Sequence, residues 1–207
     1  MNLENKYKLK NIIFLLVILQ LFQSCNSVTK SKENPGISIS YKKETVDVKD
    51  FFENGDLLLT GQLINNKKNG KWVRYYSNGK VFKIETFKDD ILDGEWKAYH
   101  FNGQLYFGGN HKNNYKDGVW KHYAKDGTLK YVRIYNPKGA TGEWKSYYDS
   151  GEISNIENYE KGKPNGRWTS FYKNGKLHDE GDYLNGKKSG TWKIYDDKGS
   201  LLKTSNF

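Results

Sequence analysis

GEWKAYHFNGQLYFGGNH, residues 94–111, is the stretch that decides the fold, because its pattern returns every 24 residues along the chain. Glycine stands at positions 70, 94, 118, 142, 166 and 190, and a tryptophan follows two places after each of them. These are all six tryptophans of the sequence: Trp72, Trp96, Trp120, Trp144, Trp168 and Trp192. An aromatic residue comes three places later and a second glycine four places after that. A fixed period of this length indicates a stacked repeat protein.

Each unit contains enough residues for one β-hairpin and one connection, and none for a helix. The tryptophan segment reads as a first strand, and a turn such as Ser77-Asn78-Gly79 follows it. The second strand runs from Val81 to Phe87. Asn-Gly pairs indicate tight hairpin turns. A longer polar loop, such as residues 65–70, is expected to lead to the next unit. The pattern therefore predicts an all-β fold: an elongated array of tandem 24-residue hairpins in a single continuous twisted sheet.

The side on which the aromatic residues lie is left open by the spacing. Trp72 and Tyr75 are three positions apart, so in a regular strand they face opposite sides of the sheet. Either both faces carry aromatic residues, or a bulge realigns them. With two strands per repeat, equivalent tryptophan rings should lie about 10 Å apart. The tryptophan column is expected to be structural, because aliphatic residues are scarce; the alternative is an exposed stacking platform.

The N-terminal segment predicts export. Lys6, Lys8 and Lys10 precede an apolar run, Ile12–Phe22, which is broken only by Gln20. This run is too short to span a bilayer, and it is typical of a signal peptide, residues 1–24. The sequence before Cys25, the sole cysteine, resembles a lipobox, so Cys25 is predicted to carry the lipid (palmitate). The alternative is a free cysteine beside an ordinary signal peptide.

This interpretation gives the domain organisation and the location. Residues 25–36 are predicted to form a lipidated flexible tether, residues 37–69 a degenerate N-terminal capping repeat, and residues 70–207 six full repeats. In the capping repeat, Val46 and Val48 stand in the glycine and tryptophan slots. Terminal repeats are commonly atypical because they cap the array. The mature protein is expected in the cell envelope, anchored to a membrane, at the outer membrane or the cell surface.

No motif in the sequence indicates a reaction. The four histidines, His100, His111, His122 and His178, occupy different repeat slots and lack metal-ligand spacing. Most acidic residues fall in turns, without the fixed slots that a ladder of calcium ligands requires. Nucleophile, phosphate-loop and paired-cysteine motifs are missing from the sequence. We therefore predict a protein that is not an enzyme, with no catalytic residues, no metal and no cofactor.

The charge of the chain points to anionic partners. The formal net charge is +10 at neutral pH, which favours acidic lipids, glycans or nucleic acid. Export excludes nucleic acid. Lysine follows the tryptophan in four of the six repeats, at Lys97, Lys121, Lys145 and Lys193. If the tryptophans face the packed side, these lysines form a column on the other side, which could hold an anionic surface or could simply keep the sheet soluble.

The pattern Gly-x-Trp-x-x-Tyr, then Asn-Gly, then a hydrophobic strand resembles the MORN-repeat-variant family, including chains described as YwqK-like antitoxin components. The resemblance covers residues 46–207 and implies a hairpin array for binding or scaffolding, with no reaction. We therefore expect a membrane-anchored lipoprotein whose array binds a protein or an anionic envelope polymer. The alternatives are an antitoxin or immunity protein that neutralises a toxin, and a glycan or cell-wall binding module.

Overall fold

The computed structural model describes residues 43–207, which form one antiparallel sheet with the strands in sequence order. No helix occurs in this range. The all-β single-sheet prediction is therefore confirmed. The strands are β1 (Thr45–Phe51), β2 (Leu57–Ile64), β3 (Lys67–Tyr75), β4 (Val81–Lys88), β5 (Ile91–Tyr99), β6 (Leu105–Lys112), β7 (Tyr115–Tyr123), β8 (Leu129–Asn136), β9 (Gly139–Tyr147), β10 (Ile153–Glu160), β11 (Lys163–Phe171), β12 (Leu177–Leu184), β13 (Lys187–Tyr195) and β14 (Leu201–Asn206).

The Asn-Gly turns are the longer of the two connections in each repeat. Between β3 and β4, the backbone N–H of Tyr76 donates to the carbonyl of Lys80 at 2.8 Å, and Gly79 N–H donates back to Tyr76 at 3.0 Å. Only the glycine of this turn has a positive φ, at 76°. This is a three-residue loop that ends on a left-handed residue, which explains why glycine stands in the second glycine slot of each full repeat.

The connection between repeats is tight, and the expectation of a long polar loop at residues 65–70 is wrong. Asn65 and Asn66 have φ values of 51° and 61°, which make a two-residue hairpin turn of the primed type. Asparagine tolerates this conformation because its side chain can bond the local backbone. The remaining polar residues, from Lys67 onward, already belong to β3.

The first glycine of each repeat lies at a β-bulge inside a strand. In the β2–β3 pair, Thr60 faces Val73 but Gln62 faces Asn69, so β3 contains two more residues than its partner there. Gly70, within that bulge, has a φ of 70°. A bulge of this kind requires a residue that accepts positive φ, and this explains why glycine precedes every tryptophan by two places.

Aromatic residues lie on both faces of the sheet, which is the first of the two alternatives left open by the spacing of Trp72 and Tyr75. Trp168 pairs with Gly181, and the next position along each strand, Thr169 with Glu180, points to the opposite side. The hydroxyl of Tyr195 donates to Glu180 at 2.9 Å, so the tyrosine slot lies on the side away from the tryptophans. We call the side that carries the six tryptophans, Trp72 to Trp192, the tryptophan face. The opposite side, which carries the lysine column from Lys97 to Lys193, is the lysine face.

The core is thin, as expected from the scarcity of aliphatic residues. Among residues 43–207, the buried hydrophobic side chains are Trp72, Ala98, Trp120, Ala140 and Trp192, and Ser170 is the buried polar one. The predicted signal peptide, tether and Cys25 lie outside the described residues, as does the beginning of the capping repeat. In the part of the chain that is described, no helix is long and apolar enough to cross a membrane.

Candidate binding surface

Three tryptophans of the tryptophan face are buried because each lies on a glycine of the preceding strand. Trp120 is only 1% exposed. A Cβ atom placed on Gly109 would lie 2.5 Å from its ring, so no side chain fits beneath the indole. The same arrangement recurs for Trp72 on Gly61 and for Trp192 on Gly181. In this single-layer sheet, the backbone of a neighbouring strand takes the place of a second layer.

The indole N–H groups show that the rings lean toward the preceding strand. Trp120 donates to the carbonyl of Asn110 at 3.2 Å, Trp144 to that of Ile134 at 2.9 Å, and Trp192 to that of Asp182 at 3.1 Å. Each acceptor lies ten residues earlier in the chain. Each acceptor borders the bulge that precedes the tryptophan.

The other three tryptophans, Trp96, Trp144 and Trp168, are only half-buried. The slot that holds glycine beneath the buried rings holds a larger residue beneath these three, and its side chain keeps the ring from settling on the backbone. The residues are Glu85, Arg133 and Glu157. At one place, two tryptophan rings of neighbouring repeats lie closer than the expected spacing of about 10 Å. The centroids of Trp96 and Trp120 are 5.7 Å apart, because Gly109 between them leaves room for both.

The half-buried rings belong to a continuous aromatic surface. Trp144 stacks on Tyr159 with centroids 4.1 Å apart, and Tyr135 lies 5.3 Å away on its other side. Burial, followed by the neighbouring carboxylate of Glu157, raises the pKa of Tyr159 to about 12, so this phenol stays protonated at neutral pH. His111 stands edge-on to Trp120 at 5.0 Å, and burial lowers its pKa.

Cations cover several of these rings. The ammonium of Lys68 lies 4.7 Å from the ring centroid of Trp72, that of Lys116 4.6 Å from Trp120, and that of Lys188 3.9 Å from Trp192. The guanidinium of Arg133 lies 4.7 Å from Trp144. Such contacts stabilise by about 0.5–2 kcal/mol each, depending on desolvation. The tryptophan face therefore combines flat apolar rings with positive charge.

The lysine column predicted from the sequence lies on the opposite face, and its members differ in their partners. The ammonium of Lys97 lies 2.5 Å from Glu95, and that of Lys145 lies 2.9 Å from Glu143. The hydrogen bond from Lys97 holds the pKa of Glu95 below its ordinary value. Among the described residues, Lys121 and Lys193 have no ion pair. The column is therefore an alternation of neutralised and free charges.

A family profile described as "MORN repeat variant" matches residues 68–89, 92–113, 116–136, 140–161 and 164–185. The chain belongs to the MORN repeat variant family. Each matched segment spans one hairpin of the sheet, from β3 and β4 in the first to β11 and β12 in the last. A search of curated proteins found no match.

One polar cluster within the MORN repeats brings together a serine, a histidine and an aspartate. The Ser170 hydroxyl donates to Asp179 Oδ1 at 2.6 Å and lies 3.1 Å from His178 Nδ1. Since the serine proton is held by the aspartate, the histidine donates to the serine oxygen instead of accepting from it. Nucleophilic catalysis needs the opposite direction of proton transfer, so this cluster orders the sheet rather than activating the serine.

The MORN repeats bring together no group of three or more histidine, cysteine or acidic side chains that could hold a metal, within residues 43–207. The cationic residues of the tryptophan face, Lys116 and Arg133 above all, were not identified from the sequence. A signal for part of this arrangement is present, because each buried tryptophan has a lysine four places before it and a glycine eleven places before it. The half-buried tryptophans have neither.

Proposed function

We propose that this protein is a lipid-anchored lipoprotein of the cell envelope whose MORN array binds a protein or an anionic envelope polymer without catalysing a reaction. The observation that carries the proposal is the open sheet. Within residues 43–207, fourteen strands form a single layer, and few side chains are buried. Such a sheet offers two broad faces of recurring chemistry, which suits the recognition of an extended partner.

The anchor is supported by the sequence alone. A basic segment, the apolar run Ile12–Phe22 and the single cysteine, Cys25, occur in the order that lipidation requires. The experiment is metabolic labelling with an alkyne fatty acid in a bacterial host that processes lipoproteins. We expect the full chain to take up the label and to partition into detergent, and the Cys25→Ala variant to do neither. Label on the variant would contradict the anchor.

The binding role is tested by photo-crosslinking from each face of the full chain in cells. Tyr106 is exposed on the tryptophan face, where its ring lies 4.8 Å from that of His122. Val119 is exposed and precedes Trp120, so it lies on the lysine face. A benzophenone amino acid is placed at one of these positions in each of two variants. The variant with the probe on the binding face should form discrete adducts with envelope components, and the variant with the probe on the opposite face should form few. Adducts from neither position would contradict the proposal.

A further inference from the structure

The centre of the tryptophan face contains a lysine that is enclosed by aromatic rings. The ammonium of Lys116 lies 4.7 Å from the ring centroid of Phe107, 4.6 Å from that of Trp120 and 5.0 Å from that of Tyr135. Across the strand pair it faces His111, whose pKa is lowered by burial and by Lys116. This ammonium is partly removed from water, and its nearest groups are rings.

A second cation lies one strand further on. The guanidinium carbon of Arg133 is 4.2 Å from the ring centroid of Tyr131 and 4.7 Å from that of Trp144. Arg133 pairs with Trp120, the ring that Lys116 covers. The two cations are close enough to repel each other: burial, and then the charge of Arg133, lower the pKa of Lys116.

Neither cation has a counter-ion in the part of the chain that the structure describes. Lys116 and Arg133 form no ion pair there, whereas Lys83, another basic residue of the tryptophan face, pairs with Glu85 at 3.0 Å. Strand alternation places Asp93, Glu95, Asp117 and Glu143 of β5, β7 and β9 on the lysine face. The rings offset part of the cost of holding two partly desolvated cations close together, and an anion bound between the cations would remove their mutual repulsion.

The surroundings of the two cations indicate what the ligand is. Trp96 and Trp144 flank them as half-buried rings, and flat apolar rings can pack against the apolar faces of sugars. Glu85 on β4 and Glu157 on β10 border the region and can accept hydrogen bonds from hydroxyl groups. Glu85 is paired with Lys83, and Glu157 accepts from the hydroxyl of Tyr159, so the hydroxyl groups of a sugar chain can reach their remaining oxygens.

We propose that Lys116 and Arg133 form an anion site that takes a carboxylate of an acidic polysaccharide, with sugar rings packed on Trp96 and Trp144. The inference rests on the proposed binding function and names the polymer and the face. Across the strands from β5 to β9, the surface extends about 19 Å at the usual strand spacing, which accommodates several sugar units.

The experiment measures the affinity of the full lipidated chain in detergent for polyuronate (alginate), with dextran as the neutral polymer, at low salt. The test variant is Lys116→Gln/Arg133→Gln. The matched control, Lys121→Gln/Lys193→Gln, removes the same charge from the lysine face. We expect the test variant to bind at least about tenfold more weakly and the control to change by less than about twofold. Thermal melts of both variants check that the sheet is intact.

Three outcomes would overturn the inference: no binding of alginate at low salt, an equal loss in both variants, or binding of polyglutamate or anionic vesicles that is as tight and as dependent on Lys116 and Arg133. The failure of this site is distinguishable from failure of the proposed function. If alginate does not bind but Tyr106 or Val119 still gives envelope adducts, the binding function stands and only the polysaccharide is excluded.

Discussion

The indole of Trp120 lies on the backbone of Gly109 in the neighbouring strand, and a Cβ atom at position 109 would be 2.5 Å from the ring. Gly109 lacks a positive φ, so the glycine is required by this contact and not by the backbone conformation. The same relationship links Gly61 to Trp72 and Gly181 to Trp192. A ring that has no second layer to pack against is buried on the sheet itself.

Gly109→Ala should therefore destabilise the sheet. The added methyl group must displace the buried ring of Trp120, at a cost of about 1–3 kcal/mol. Glu85→Ala is the matched control, because position 85 is the same repeat slot and already has a Cβ; it should cost less than about 1 kcal/mol. Urea unfolding followed by tryptophan fluorescence measures both. Equal losses for the two variants would contradict the packing described.

A hydrogen bond between repeats is missing at Ala124 and can be supplied. Tyr76 donates through its hydroxyl to the carbonyl of Tyr99 at 2.7 Å, and Tyr172 donates to that of Tyr195 at 2.8 Å. Ala124 occupies the same slot and has no such group. Ala124→Tyr should therefore be more stable than Ala124→Phe by about 0.5–1.5 kcal/mol, the net value of one hydrogen bond.

The comparison of tyrosine with phenylalanine at position 124 isolates the hydroxyl, because both variants add the ring. Repeat arrays can open in parts, so amide hydrogen exchange across β7 to β10 is the appropriate measurement beside global unfolding. Slower exchange in Ala124→Tyr than in Ala124→Phe is expected. Identical exchange would mean that the link adds nothing at this repeat.

The stability of the sheet should fall in mild acid, in part through His111. Burial, and then Lys116, lower the pKa of this imidazole below its ordinary value. The unfolded chain therefore binds more protons between the folded pKa and about 6.5, and stability decreases as the pH falls through that window. The contribution of the neutral imidazole is fully present above about 6.5.

His111→Phe should flatten this dependence and raise the stability at pH 5. Phe87 and Phe207 occupy the same slot in other repeats, so the ring is expected to fit, and Nδ1 of His111 is a buried atom without a hydrogen-bond partner. The measurement is the melting temperature of both proteins from pH 7.5 to 5. Part of the slope should remain, because burial also lowers the pKa of His122. An equal dependence of the melting temperature on pH in the two proteins would exclude His111 as a source of the loss of stability in acid.

The lysine face should contribute only weak, salt-sensitive binding to anionic vesicles. Exposed charges are screened within about 8–10 Å at physiological salt. Since Lys97 and Lys145 are paired with glutamates, Lys121→Gln/Lys193→Gln should reduce co-sedimentation more than Lys97→Gln/Lys145→Gln does. Both variants remove two positive charges, so a difference reports direct contact. No binding at low salt, or an equal reduction by both, would exclude a contact role for the free lysines.

The sequence by itself determined the architecture. A 24-residue register without insertions, with room for two strands per unit, admits only a row of hairpins in one sheet. The turn glycine, Gly79, is likewise readable because a tight turn needs positive φ, whereas Gly70 was expected in a loop and lies at a bulge inside β3. These features are local, and local backbone preferences are written in single residues and their immediate neighbours.

Only the tertiary structure decided which rings are buried and where the uncompensated charge lies. Trp96 and Trp120 both border Gly109, yet only the ring of Trp120 lies on it, because the preceding strand offers Gly109 to Trp120 and Glu85 to Trp96. The enclosure of Lys116 combines rings from three strands for the same reason. Contacts across strands depend on register, and the bulges that set the register shift it by amounts that the spacing along the chain does not reveal.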